Sequence, residues 1–392
     1  MPPVNIDILK WARETAGLST EQAAKAIGIG PARGRSASQR LESIEVGEEA
    51  PSRTILNAMS RIYRRPLLLF YLNQRPRAGD RGQDFRTLPG HAATPLDPNL
   101  DALIRDLRAR QQMVRELLEE EDAPPLRFVG SAKMTDSPNK VASSIITTIG
   151  FNLDEYRGKP DTNRAFAYLR NCIESAGVFV LLVGDLGSHH TAFPVEEFRG
   201  FAIADNIAPF IVVNSHDAPV TRPFTALHEL THVWLGTTGV SSTESDSAIE
   251  IFCNKVTGEI LLPELEMAGL RSVMSETFDT ALEAITDFAR ERHVSRAMVA
   301  YKLYILNIID LRTWRSFDVR IRQDWINQQA QTKNVEKQRG GQNYYKARQH
   351  GLGKAIMGVV ERSIGEGRLS PTKAGKILGV KVGNVNRLLS RQ

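Results

Sequence analysis

With 392 residues, the chain is long enough for about two to four domains with ample core. At 42% hydrophobic and 24% charged it reads as globular, and it lacks the run of about 18 apolar residues that a membrane helix needs. Its net charge of +5 is compatible with nucleic-acid contact without establishing it, and its two cysteines exclude a disulfide scaffold. Cys172 and Cys253 sit in apolar helical patterns, so reduced buried thiols in a cytoplasmic protein are expected, and a cysteine-based metal site is not. Met1 to Asp7 has neither the basic region nor the apolar core of a signal peptide.

The first helix is read from Ile8, Leu9, Ala12 and Thr15 on one face, ending at Gly17. Ser19-Thr-Glu-Gln22 has the form of a capping box and opens a second helix, so the pair reads as a helix-turn-helix opening. A third helix is expected over Ser36 to Val46, and a fourth over Thr54 to Tyr63 with Ile55, Met59, Ile62 and Tyr63 as its stripe. A Gly/Arg-rich stretch, Gly28 to Ala37, precedes the third helix. If DNA is bound here, Arg33, Arg35, Gln39 and Arg40 are the candidate contacts, because arginine reads guanine edges and glutamine adenine edges. The alternative is a protein-docking unit with solvated arginines.

Arg75 to Pro98 reads as a linker or irregular strap. Leu100 to Glu121 is a long amphipathic helix, and its acidic end, Glu119 to Asp122, is expected to be simply solvated. Val141 to Ile149 and Thr162 to Ala176 look helical. Val178 to Val183, Phe198 to Ile203 and Pro209 to Asn214 read as three strands. His189 and His190 are read as loop polarity, since adjacent residues share no face in regular structure.

The densest signal is His228-Glu-Leu-Thr-His232. On a helix the two histidines lie on one face and can grip one metal ion, while Glu229 can reach a metal-bound water as general base. The apolar flanks favour a buried helix ending at Gly236. A zinc site needs a third protein ligand and an open fourth position. Ala248 to Pro263 has helical apolar spacing, and a second helix packed on the first would present Glu250 to the metal. Glu244, Asp246 and Glu259 are the competing carboxylates, and Glu259 falls on a different side of that helix. The oxyanion stabiliser is not legible, with Tyr344, Tyr345 and Arg222 as candidates.

Phe278 to Ile309 reads as helical with a turn at His293. Residues 315 to 350 are basic. Leu369 to Leu389 is again helix, glycine turn, helix, able to touch nucleic acid or a protein or to pack on the rest.

His228-Glu-Leu-Thr-His232, followed by Glu250-Ile-Phe-Cys-Asn254 and Leu261-Leu-Pro263, resembles the ImmA/IrrE family of metallopeptidases over about residues 165 to 265. Upstream, Glu196 to Phe201 and Ala208 to Asn214 resemble that family's strands, and Gly340 to Tyr345 its Gly-Gly…Tyr segment. Cys253 and Val256 stand where the family often has Ala and Phe. Leu41 to Gly47, with Pro51, Ser52 and Leu56, resembles an XRE-type helix-turn-helix.

The resemblance implies an α+β, mostly helical protein. Its parts are a helix-turn-helix bundle (1–75), a linker and amphipathic helix (76–125), a zincin-like peptidase with a small three-stranded sheet (126–265), a helical support (266–325) and a basic helical region (326–392). It also implies Zn2+ as cofactor and a helix-turn-helix transcriptional repressor as protein substrate, cleaved to derepress genes in stress response or on a mobile element. Two rivals stay open: a DNA-binding regulator whose metal site is structural or sensory, and a toxin–antitoxin component acting by partner binding.

Overall fold

A computed structural model describes residues 4–32, 34–74, 98–187, 191–195, 197–241, 248–336 and 344–390. Arg33, His189, His190, Glu196, Glu244, Asp246, most of the 75–98 segment and residues 340–343 lie outside them. The described residues divide into two compact units, and the division falls within one helix, between Leu107 and Arg108.

The first unit is built from α1 (Ile6–Thr15), α2 (Thr20–Ile27), α3 (Ala37–Glu45), α4 (Arg53–Ile62) and a 3-10 turn at Leu67–Tyr71. Capping decides where its helices start. Ser19 and Gln22 form a reciprocal capping box on α2, Ser36 and Gln39 another on α3, and Gly28 at φ 84° ends α2. The core joins Ile8, Leu9 and Ala12 of α1 to Ala23, Ala24, Ile27, Leu41, Ile44, Leu56, Met59 and Phe70. Within it Arg13 donates to both oxygens of Glu45, at 2.7 and 2.9 Å, tying α1 to α3.

The helix α5 (Pro98–Glu120) leads into the second unit, where α6 (Pro138–Ile149), α7 (Leu153–Arg157) and α8 (Thr162–Ser175) precede the sheet. The three expected strands form as β1 (Phe179–Val183), β2 (Gly200–Ile203) and β3 (Phe210–Asn214), and a short fourth follows the histidine-bearing helix as β4 (Gly239–Ser241). The order is β1-β3-β2-β4. The β1–β3 pair is parallel, and β2 is antiparallel to both β3 and β4. Nearly every residue of β1, β2 and β3 is buried, which explains why these strands read as continuous apolar runs.

Against β2 and β3 packs α9 (Arg222–Leu235), and against α9 packs α10 (Ala248–Leu261). Val180, Leu182, Ala202, Ile211 and Val213 from the sheet meet Ala226, Leu227, Leu230, Val233 and Trp234 in one core, with Phe252, Val256 and Ile260 beyond. The end of α9 is fixed by the segment before α6. Phe128 stacks on Trp234 at 4.3 Å, Gly130 N donates to Val233 O, and Gly236 approaches Gly130 so closely that a Cβ there would lie 3.0 Å from its Cα.

The remaining helices are α11 (Phe278–Glu291), α12 (Arg296–Ile305), α13 (Leu311–Glu336), α14 (Tyr344–Leu352), α15 (Lys354–Gly365), α16 (Pro371–Leu378) and α17 (Val385–Leu389). Lys302 of α12 donates to Gly258 O and Leu262 O and to Glu259, satisfying carbonyls at the end of α10. Arg170 and Glu174 of α8 form a nearly buried pair at 3.0 Å. Arg170 also donates to Val180 O and Gly351 O, while Glu174 accepts from Lys354 N and Ala355 N at the start of α15. The acidic end of α5 departs from expectation. Glu121 is ion-paired with Arg362 at 2.7 Å and Arg368 at 2.6 Å, because basic side chains 241 and 247 residues away in sequence fold onto it.

Candidate metal centre

The two histidines of α9 and one carboxylate of α10 converge on a single point. His228 Nε2 lies 3.2 Å from His232 Nε2 and 2.9 Å from Glu250 Oε2, and His232 Nε2 lies 3.3 Å from Glu250 Oε1. All three side chains are buried or nearly so. The packing of α10 along α9 produces this meeting across 22 residues.

The outer nitrogens of both rings are held by neighbours. Thr237 Oγ1 donates to His232 O at 3.3 Å and is 3.0 Å from His232 Nδ1, so its hydroxyl is placed to accept from Nδ1–H. Asn254 Oδ1 lies 3.0 Å from His228 Nδ1 and accepts in the same way. With the proton on each Nδ1, both Nε2 lone pairs face Glu250. Burial by itself raises the pKa of Glu250, but when the two rings are protonated and donate to it they outweigh burial and hold it at about 2, so the third donor is an anion. Two ring nitrogens and a carboxylate at this separation are placed to share one cation. Ligands of a tetrahedral zinc with bonds of 2.0–2.1 Å stand roughly 3.3 Å apart, which is the spacing seen here. The donor set therefore fits a divalent metal.

Glu229 follows His228 on α9 and is fully buried. It faces β2, where Gly200 makes room for it: a Cβ on Gly200 would come 2.9 Å from Glu229 Oε1 and 2.7 Å from Thr225 Cγ2. The glycine requirement here is closeness, not φ.

Of the two thiols expected to be buried, Cys172 is only partly so, whereas Cys253 is fully buried and its Sγ lies within 4.8 Å of a ring nitrogen of each histidine. It follows Glu250 by three residues on α10, one helical turn along the same face. Burial, with the charges of Glu250 and Glu229 adding to it, pushes its pKa well above the ordinary thiol value.

The other named residues lie elsewhere. Arg222, at the start of α9, donates to Asp217 O and Ser215 O and holds the loop after β3. Tyr344 is exposed, and Tyr345 pairs through its hydroxyl with Asn384, 3.1 Å away near α17. Glu259 binds Lys302. In the first unit Arg35 donates to Ser43 Oγ and Glu48, Arg40 pairs with Glu49 and donates to Gly30 O, and Gln39 accepts from Ser36 N in its capping box. Sequence reasoning passed over Gly200 and Thr237. Thr237 had a local signal in standing directly after the glycine stop of α9, whereas Gly200 had none.

Sheet, histidine helix and carboxylate helix together bring the donors to one buried point. Residues 183–304 match the family model described as Peptidase_M78, IrrE N-terminal-like domain, which supports a metallopeptidase of the IrrE/ImmA type. No curated protein and no solved structure matches the chain. No described helix is long and apolar enough to cross a membrane.

Proposed function

We propose that the chain is a zinc-dependent endopeptidase in which His228, His232 and Glu250 hold the metal and Glu229 is the general base. The observation carrying this reading is the convergence of two imidazole lone pairs and one carboxylate at 2.9–3.3 Å, with the outer ring nitrogens already engaged. Zinc, when bound, acidifies a water and polarises the scissile carbonyl. Glu229, one residue from a ligand and walled in by α9 and β2, takes the proton from the attacking water and returns it to the leaving amine. The edge of the sheet at β4 is suited to an extended peptide pairing as an added strand.

The proposed substrate is a protein, a helix-turn-helix repressor by the resemblance of the motifs. Arg35 and Arg40 form ion pairs with Glu48 and Glu49, and the first unit is open to either DNA or protein as partner. The test compares new protein N-termini in cells expressing the wild-type chain and Glu229→Gln. Cleavage products confined to the wild type support the peptidase, and matching profiles with unchanged biological output would overturn it in favour of a regulatory metal site.

A further inference from the structure

We propose that Cys253 is a metal ligand of this centre, so that the protein offers four donors, His228, His232, Glu250 and a thiolate. The inference rests on the metal-centre reading above and goes beyond it in the chemistry of the bound ion. Three observations support it. The Sγ is within 4.8 Å of a ring nitrogen of each histidine. A tetrahedral zinc with a zinc–sulfur bond of about 2.3 Å and a zinc–nitrogen bond of about 2.1 Å sets sulfur and nitrogen roughly 3.6 Å apart, so the thiol reaches a shared ion by closing in on the two rings. Glu250 and Cys253 stand one turn apart on α10, while Asn254, next along, holds the His228 ring with its Nε2 toward Glu250.

The consequence is a change in the kind of site. Three protein donors leave a zinc position open for water, as hydrolysis requires, whereas four close the tetrahedron as in structural centres. A soft thiolate also favours zinc over the harder divalent ions magnesium and manganese. Binding replaces the S–H proton with the metal, and the proton leaves to the buffer. With all four donors bound, zinc would have no position left for water, and hydrolysis would need one donor to yield its place.

The opposing reading is that Cys253 is a small apolar filler between α9 and α10, interchangeable with alanine. Cobalt(II) substitution separates the two, because only sulfur ligation adds a sulfur-to-cobalt charge-transfer band in the near ultraviolet. The full chain is loaded with one equivalent of cobalt, alongside Cys253→Ala and Cys253→Ser. Circular dichroism of each metal-free variant establishes that it is folded.

The expected result is a charge-transfer band in the wild type and its loss in both variants, with cobalt still bound by its visible d–d bands. Zinc affinity in Cys253→Ala should fall by about tenfold or more. A wild type that binds cobalt without the band overturns the proposal, as does a variant that keeps the band. Should neither variant fold, the band in the wild type alone decides. A His228→Ala/His232→Ala control distinguishes the underlying failure: unchanged cobalt spectra there would mean that the metal centre itself is elsewhere.

Discussion

Asn254 Oδ1 lies 3.0 Å from His228 Nδ1, joining the carboxylate helix to the histidine helix through the nitrogen that does not face Glu250. With a metal bound, this contact would favour the tautomer protonated at Nδ1 and keep the His228 Nε2 lone pair aimed at the other donors. Replacing such an outer partner of a metal-binding histidine costs about 10–100-fold in metal affinity. Asn254→Ala should show that loss in competition with a chelator, and Asn254→Asp, which keeps an acceptor oxygen, should recover most of it.

Glu229→Gln should bind metal as the wild type does, since Glu229 is not among the three converging donors. Removing a general base typically lowers the rate by about 10²–10⁴-fold. Peptide hydrolysis and metal content measured on the same preparation check this. Loss of metal along with activity would count against the assigned role.

Gly200→Ala tests the wall behind Glu229. The added methyl would meet Thr225 Cγ2 at 2.7 Å and Glu229 Oε1 at 2.9 Å. Overpacking of this kind costs about 1–3 kcal/mol, and here it also displaces the base. The expected outcome is at least about a tenfold loss of turnover with metal retained, as precise placement of a reacting group demands.

Arg170→Met should be among the most damaging changes outside the centre. It leaves Glu174 buried without its cation and removes a donor to Val180 O and Gly351 O. Breaking a buried pair on one side costs about 3–5 kcal/mol. Urea unfolding followed by circular dichroism measures it, and a cost under about 1 kcal/mol would show that the pair does not fasten α14 and α15 to the sheet.

Glu266 carries a pH prediction. Its oxygens accept from Arg157 at 2.8 Å and Arg292 at 2.9 Å. Burial raises its pKa, but the two arginines outweigh burial and hold it below the ordinary value of 4.5. A depressed folded pKa means that the stabilisation is present above the unfolded pKa and lost as pH falls through the folded one. Glu266→Gln should cost about 0.5–1 kcal/mol near neutral pH, where the pair is partly solvent-screened. The difference from wild type should shrink as the pH drops below 4.5, as unfolding curves across that range would reveal.

Much of the site was legible because it is local. His228, Glu229 and His232 fall within two turns of one helix, and the apolar positions around them announce its burial. Glu250 was legible at longer range because α10 has its own periodicity and a carboxylate near its start. Caps at Ser19 and Gly236 marked helix ends for the same reason, since each acts within a few residues. The DNA-contact candidates were less secure, because a side chain's availability depends on what folds against it. Arg35 and Arg40 meet Glu48 and Glu49 across a turn.

The sequence by itself determined most of the helices, three of the strands and the paired histidines with Glu229 between them, all of which follow from spacings of two to four residues. Only the tertiary structure decided the strand order β1-β3-β2-β4, the ion pairs of Glu121, the room that Gly200 leaves for Glu229, and the arrival of Cys253 beside the two histidines. The physical reason is the same in each case. Periodicity states which face of an element is apolar, but the partner that covers that face is set by packing across tens to hundreds of residues, and that packing turned a buried thiol into a neighbour of the metal centre.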